Sequence, residues 1–285
     1  MADQVSQLGT LPDQRVHAMI VPREHGAWGM MLVPLVTGAA VGFMSGDRVL
    51  PLVLFTIAAL GLFWMRTPVE SWLGTSPLRA QSEAERSMVM RAVLVIGSGV
   101  LLALTLLFWG GQNAYLLVLG AICGLAFVAQ AALKKLGRKT RMAAQVVGSL
   151  GLTSTAPAAY YVVTGHFDIT AWALWFANWL FAGNQIHFVQ LRIRAARAAG
   201  SGERFARGRT FFLGQIALAG VLLTACRFGL LPLLALVAFV PVVIRGFVWF
   251  FSRPRPLVVR RLGWTELAQA LTFALLLIVS FRLGR

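Results

Sequence analysis

About nine apolar runs fill this chain, and its cations fall almost wholly into alternate gaps between them. A helix needs roughly 20 apolar residues to cross the hydrocarbon core of a bilayer. The runs at 27–45, 49–65, 89–110, 114–133, 142–164, 168–190, 210–226, 229–250 and 264–281 approach or reach that length. Of 285 residues, 58% are hydrophobic and 13% charged. A water-soluble domain of this size has too little interior to hide so much apolar surface. The sequence therefore predicts an all-α, polytopic integral membrane helical bundle of about nine transmembrane helices. It divides into a cytoplasmic N-terminal segment, 1–26, and a single transmembrane helical domain, 27–285.

Charge sets the orientation. All but four (Arg48, Arg227, Arg282 and Arg285) of the 26 Lys and Arg residues lie in the N-terminal segment or in and beside the gaps 66–88, 134–141, 191–209 and 251–263. Cytoplasmic loops of membrane proteins carry such an excess. The expected location is a bacterial cytoplasmic (inner) membrane, with the N-terminus inside. The formal net charge of +16 is read as topology and contact with anionic lipid, so membrane lipid is an expected partner and nucleic acid is not. Residues 1–20 are mostly polar, so no secretory signal is expected. Short gaps such as Gly165-His166-Phe167-Asp168 predict antiparallel neighbours. Trp64, Trp72, Trp109, Trp249 and Trp264 lie near proposed helix ends, as interfacial anchors do.

In so apolar a chain, polar groups at membrane depth mark candidate sites. At the entry to the first run, Arg23, Glu24 and His25 place a cation, a carboxylate and an imidazole together. Leaving the second run, Arg66 and Glu70 share a helical face if the helix continues past Pro68. The sixth run is richest. Asn178, Gln185 and Arg192 recur every seven residues along one stripe, and Asn184, His187, Leu191 and Arg194 form an adjoining one. Amides at depth leading to guanidiniums at the mouth suit a partly apolar anion entering from the cytoplasm. Amides bonding helix to helix are the competing explanation. Glu266 is expected to pair with Arg260 or Arg261 in a structural role.

Common catalytic signatures are missing. The sequence contains no GxxxxGK[ST], HExxH, GxSxG or CxxC. No metal site is assigned. Cys123 and Cys226 sit in apolar runs without metal-ligand spacing and are expected to be inert thiols.

Two resemblances follow from these residues. Pro22-Arg23-Glu24-His25-Gly26-Ala27-Trp28, followed by an apolar run with Pro34 and Gly38, resembles the opening of the YwiC-like family of bacterial membrane proteins. Phe188-Val189-Gln190-Leu191-Arg192-Ile193-Arg194 resembles a later block of that family, and the likeness extends over most of the chain. The helix count, internal N-terminus and long loops after the second and sixth helices are similar to the UbiA prenyltransferase superfamily. Those enzymes hold Mg²⁺ and a prenyl diphosphate with Asp-rich motifs at these two places. Here neither place has an Asp, and only Glu70 offers a carboxylate. The cofactor is therefore open, with no Asp-rich motif to support Mg²⁺.

The resemblance implies a divergent prenyltransferase-like protein binding an isoprenoid diphosphate or another amphiphilic anion. Glu70 and His187 would be its catalytic candidates. Its ligand-binding candidates would be Arg23, Glu24, His25, Arg66, Asn178, Asn184, Gln185, Arg192 and Arg194. Whether the chain is an enzyme stays open. The alternatives are a transporter of a small anion or lipid-linked metabolite, and a non-catalytic membrane assembly factor.

Overall fold

The structure is a computed structural model that describes residues 12–284 apart from 22–24, 75, 77, 112–113, 138–139, 197–200 and 253–256, and without side-chain placement at 12–14, 25–27, 201 and 259. Among the described residues every regular element is a helix. Each of the nine apolar runs carries one, but the helices are not nine equal spans. Six are long and apolar enough to cross a membrane: α3 (Val49–Trp72), α4 (Glu83–Trp109), α5 (Ala114–Lys135), the joined pair α6 (Arg141–Thr153) and α7 (Thr155–Thr164), α9 (Ser201–Arg227) and α11 (Val259–Leu283). The apolar stretches of α2 (His25–Gly42) and α10 (Ala235–Phe251) are shorter. α8 (Ile169–Arg194) has 26 residues, but its amides, His187 and arginines dilute its apolar content. The remaining helix, α1 (Pro12–Ile20), lies in the segment that the sequence shows only as polar.

The helices also run further into the charged gaps than the apolar runs do. α3 passes through Pro68 to Trp72, and α4 begins at Glu83. Ser82 caps α4: its hydroxyl accepts from Glu85 N at 3.1 Å, and the Glu85 carboxylate accepts from Ser82 N at 3.3 Å. That reciprocal box satisfies two N–H groups that the helix start would leave unpaired. Hydropathy marks where lipid can surround a helix. Helix propensity continues past it, because Arg, Glu, Met and Ala favour helix.

Two compact units make up the chain, 1–25 with 53–112 and 26–52 with 113–285. In the first, α1 docks on α4 through Met19 and Val89, with Ala80 completing the cluster. Trp64 Nε1 donates to the Ile20 carbonyl at 3.0 Å, and Arg15 pairs with Glu85 at 3.0 Å. Nine residues are too few to hold a helix in isolation, so this docking is what stabilises α1.

In the second unit, α8 runs through the core. Its Ala171, Ala173, Leu174, Ala177 and Phe181 are buried with residues of α2, α7, α9, α10 and α11. Asp168 starts α8, its carboxylate accepting from Thr170 N at 2.8 Å and Ala171 N at 3.3 Å. Tyr160 OH donates to the same carboxylate at 2.9 Å, tying α7 to α8 across the expected tight turn. By contrast α5 leaves Leu117, Leu125 and Val128 exposed, and in the first unit α4 does the same with Leu94, Val95 and Leu101. Lipid is the solvent such faces fit.

α2 reaches α7 only because residue 38 is glycine. A Cβ there would collide with the Ala156 carbonyl. Backbone cannot step aside as a flexible side chain can, so Gly38→Ala is expected to cost about 1–3 kcal/mol. The thermal midpoint of the purified variant checks this. Gly99→Ala, where a Cβ meets nothing within 4 Å, is the matched control.

Candidate functional site

The polar side chains of α8 lie deep. Asn178, Asn184 and Gln185 are 1%, 7% and 7% exposed. Asn178 Nδ2 donates to Thr37 Oγ1 of α2 at 3.1 Å and to the Leu174 carbonyl at 2.8 Å. Gln185 Nε2 donates to the Glu266 carbonyl of α11 at 3.0 Å. Both residues line a narrow cleft against α2. The adjoining stripe faces α9. Asn184 Nδ2 donates to Gln215 Oε1 at 3.0 Å. The His187 ring stands edge-on to Phe211, 5.2 Å between centroids, over Gly214, where a Cβ would come within 3.0 Å of Nδ1. Gln190 Nε2 completes the set with a bond to Gln145 Oε1 of α6 at 2.9 Å. The amides of α8 are thus distributed among four neighbouring helices, α2, α6, α9 and α11.

The cation-rich end of α8 is arranged differently. The Arg245 guanidinium lies 4.1 Å from the centroid of Phe188. Arg192 lies 5.9 Å from both Phe188 and Trp249, and Arg204 lies 5.2 Å from Trp249. Arg204 Nη1 donates to the carbonyls of Trp249 and Ser252 at 3.3 and 2.6 Å, closing the C-terminus of α10. Glu266 forms an ion pair with Arg245, their side chains 13% and 12% exposed. Arg192 lies within electrostatic reach of Arg204, Arg245 and the Glu266 carboxylate, so Arg192 and Arg245 share that carboxylate. Arg204 Nε, Arg245 Nε and Arg245 Nη2 are buried without an acceptor, and Glu266 Oε1 and Gln269 Oε1 are buried without a donor. Unmet buried N–H groups on a guanidinium are costly, and an oxyanion is their best-matched partner.

Two sequence expectations are corrected here. Glu266 pairs with Arg245 rather than Arg260 or Arg261, because neither of those sits three or four residues away on its own helix face. Trp249 is not a bare interfacial anchor but a platform for two arginines. Arg245, Glu266, Arg204 and Phe188 were the residues that spacing did not single out as a site. The available signal was an arginine and a glutamate inside apolar runs.

The other candidates are placed as follows. Arg194 sits on the outer rim, its Nη2 3.8 Å from Met142 Sδ and its carbonyl accepting from Arg207 at 3.0 Å. In the first unit Arg66 Nε meets Glu70 Oε1 at 3.1 Å, the expected pair on a helix that does continue through Pro68. Arg23 and Glu24 lie outside the described residues, as does the side chain of His25, with which α2 opens. Among the described residues no group of three His, Cys, Asp or Glu side chains is placed to hold a metal ion.

Residues 21–160 match the family model described as YwiC-like protein. The match is just under half of the 285-residue chain and supports the YwiC-like family. It takes in the opening segment Pro22–Trp28 and ends in α7, so Phe188–Arg194 and the arginine cluster lie beyond it. No curated protein and no solved structure matches the chain. The family match and the apolar helices fit a multi-pass membrane protein.

Proposed function

We propose that this chain is a YwiC-like protein of the bacterial cytoplasmic membrane, N-terminus inside, that binds an amphiphilic anion at the Arg192, Arg204 and Arg245 cluster. The observation that carries it is the set of buried guanidinium N–H groups without acceptors on Arg204 and Arg245. A phosphate or diphosphate headgroup accepts several such bonds at once. The half-buried ring of Trp249 offers apolar surface for the first carbons of a tail.

The narrower form is a UbiA-like, prenyltransferase-like protein, with an isoprenoid diphosphate as ligand. Glu70, in the first unit, and His187, in the second, are the catalytic candidates of that form. Transport of a small anion is the second function, favoured by the interruption between α6 and α7 within one apolar span.

Native mass spectrometry of lipid retained by the purified protein tests the binding. Arg192→Gln and Arg204→Gln are each expected to reduce retained anionic lipid, or a titrated isoprenyl diphosphate, about tenfold. Arg227→Gln, at the far end of α9 and about 35 Å from Arg204 along the helix, should change nothing. Equal retention in all three variants would sink the proposal. Prenyl transfer in detergent and anion flux in proteoliposomes then separate its two forms.

A further inference from the structure

Two prolines interrupt helices that meet at one place on α8. Pro34 lies inside α2 and has no N–H to give the Met30 carbonyl, its partner four residues earlier. Pro157 in α7 leaves the Thr153 carbonyl, at the end of α6, in the same position. Met30, Pro34 and Thr153 all line the cleft beside Asn178 and Gln185. The Thr153 hydroxyl does not answer this need, because it turns back on its own helix and donates to Ser149 O at 2.9 Å.

The Asn178 side chain is 1% exposed, and its amide has only one sensible orientation. Nδ2 donates to Leu174 O and to Thr37 Oγ1, and the Thr37 proton goes on to Pro34 O at 2.8 Å. Flipping the amide would press Oδ1 against the Leu174 carbonyl oxygen. Oδ1 is thereby held as a buried acceptor with no donor. Gln185 lines the same cleft with Nε2 committed to the Glu266 carbonyl, so Oε1 is the acceptor end of that amide. The cleft walls include no Lys, Arg, Asp or Glu. Its polar chemistry is oxygen without charge, and it has room for about one water molecule.

We propose that this cleft is a site for a dehydrated monovalent cation, Na⁺, with Asn178 Oδ1, Gln185 Oε1 and the Met30 and Thr153 carbonyls as ligands. Mg²⁺ and Ca²⁺ sites draw on carboxylates, which the cleft lacks. K⁺ is larger than a single-water space suits. Carbonyls freed where membrane helices are interrupted are well matched to such an ion. The site stands apart from the anion proposal, since it uses none of the arginines.

The test uses the full-length protein in detergent, with NaCl exchanged for choline chloride at constant ionic strength. The thermal midpoint is expected to rise saturably, by about 3 °C or more at about 150 mM Na⁺. Equilibrium dialysis should show retained radiosodium, and KCl should give a smaller rise. Asn178→Ala should lose the increment, but it also removes two buried hydrogen bonds and is prone to unfold. Pro34→Ala is the cleaner variant. It returns an N–H to the Met30 carbonyl and should keep the midpoint in choline while losing the Na⁺ increment. Equal midpoints in Na⁺ and choline with no radiosodium retained would mean that water alone fills the cleft, and would overturn the site. So would a Pro34→Ala protein that keeps the full increment.

Discussion

Arg245→Met is expected to lower the unfolding free energy by about 3–5 kcal/mol. The reason is what remains. Glu266 would keep a carboxylate 13% exposed, with its ion-pair partner gone. Glu266→Gln should cost a similar amount, because it strands the guanidinium against the Phe188 ring. The double variant Arg245→Met with Glu266→Gln should recover to within about 1–2 kcal/mol of the native protein, since neither charge is then buried alone. Equilibrium unfolding of the four proteins in bicelles, followed by helical signal, reads the cycle. Single variants that each cost less than about 1 kcal/mol would show that water reaches the pair. The same double variant separates stability from binding. If the anion proposal holds, it folds but retains less lipid, because the cluster has lost a guanidinium.

What could be read from the sequence, and what could not, divides along the range of the interactions. Each apolar run carries a helix because about 20 apolar residues in a row constrain the backbone locally. The Arg66–Glu70 pair was legible for the same reason, being four residues apart on one helix. Run averages, however, say little about where a span stops. α8 looks like a span by length, yet its function as a core helix rests on Asn178, Asn184 and Gln185, each bonded to a different neighbour. The short docking helix α1 was invisible because its stability is supplied by contacts with Trp64, Ser71 and Glu85, far along the chain. The capping box at Ser82 and Glu85 was written plainly in the sequence but lay in a gap taken for a loop. Least legible was the arginine cluster. Arg204, Arg245 and Glu266 come from three helices, and no periodicity within one helix brings them together.

Phe188 is where that cluster joins the core, and its replacement has the other large effect. It is 2% exposed, tilted against Phe211 at 5.7 Å and edge-on to Trp249 at 6.5 Å, with Arg245 over its face. Phe188→Ala is expected to cost about 3–5 kcal/mol through the cavity it leaves. Phe188→Leu refills most of that volume but has no π face, so its cost of about 1–2 kcal/mol reports chiefly on the guanidinium contact. The discriminating measurement is the coupling of Phe188→Leu with Arg245→Met. If the ring supports the buried cation, the two changes together should cost less than their sum by about 1 kcal/mol, since either one alone already removes the contact. Strict additivity would mean that the ring is only a spacer. The Arg245 guanidinium would then be held by Glu266 alone, and an incoming anion would compete directly with that carboxylate for it.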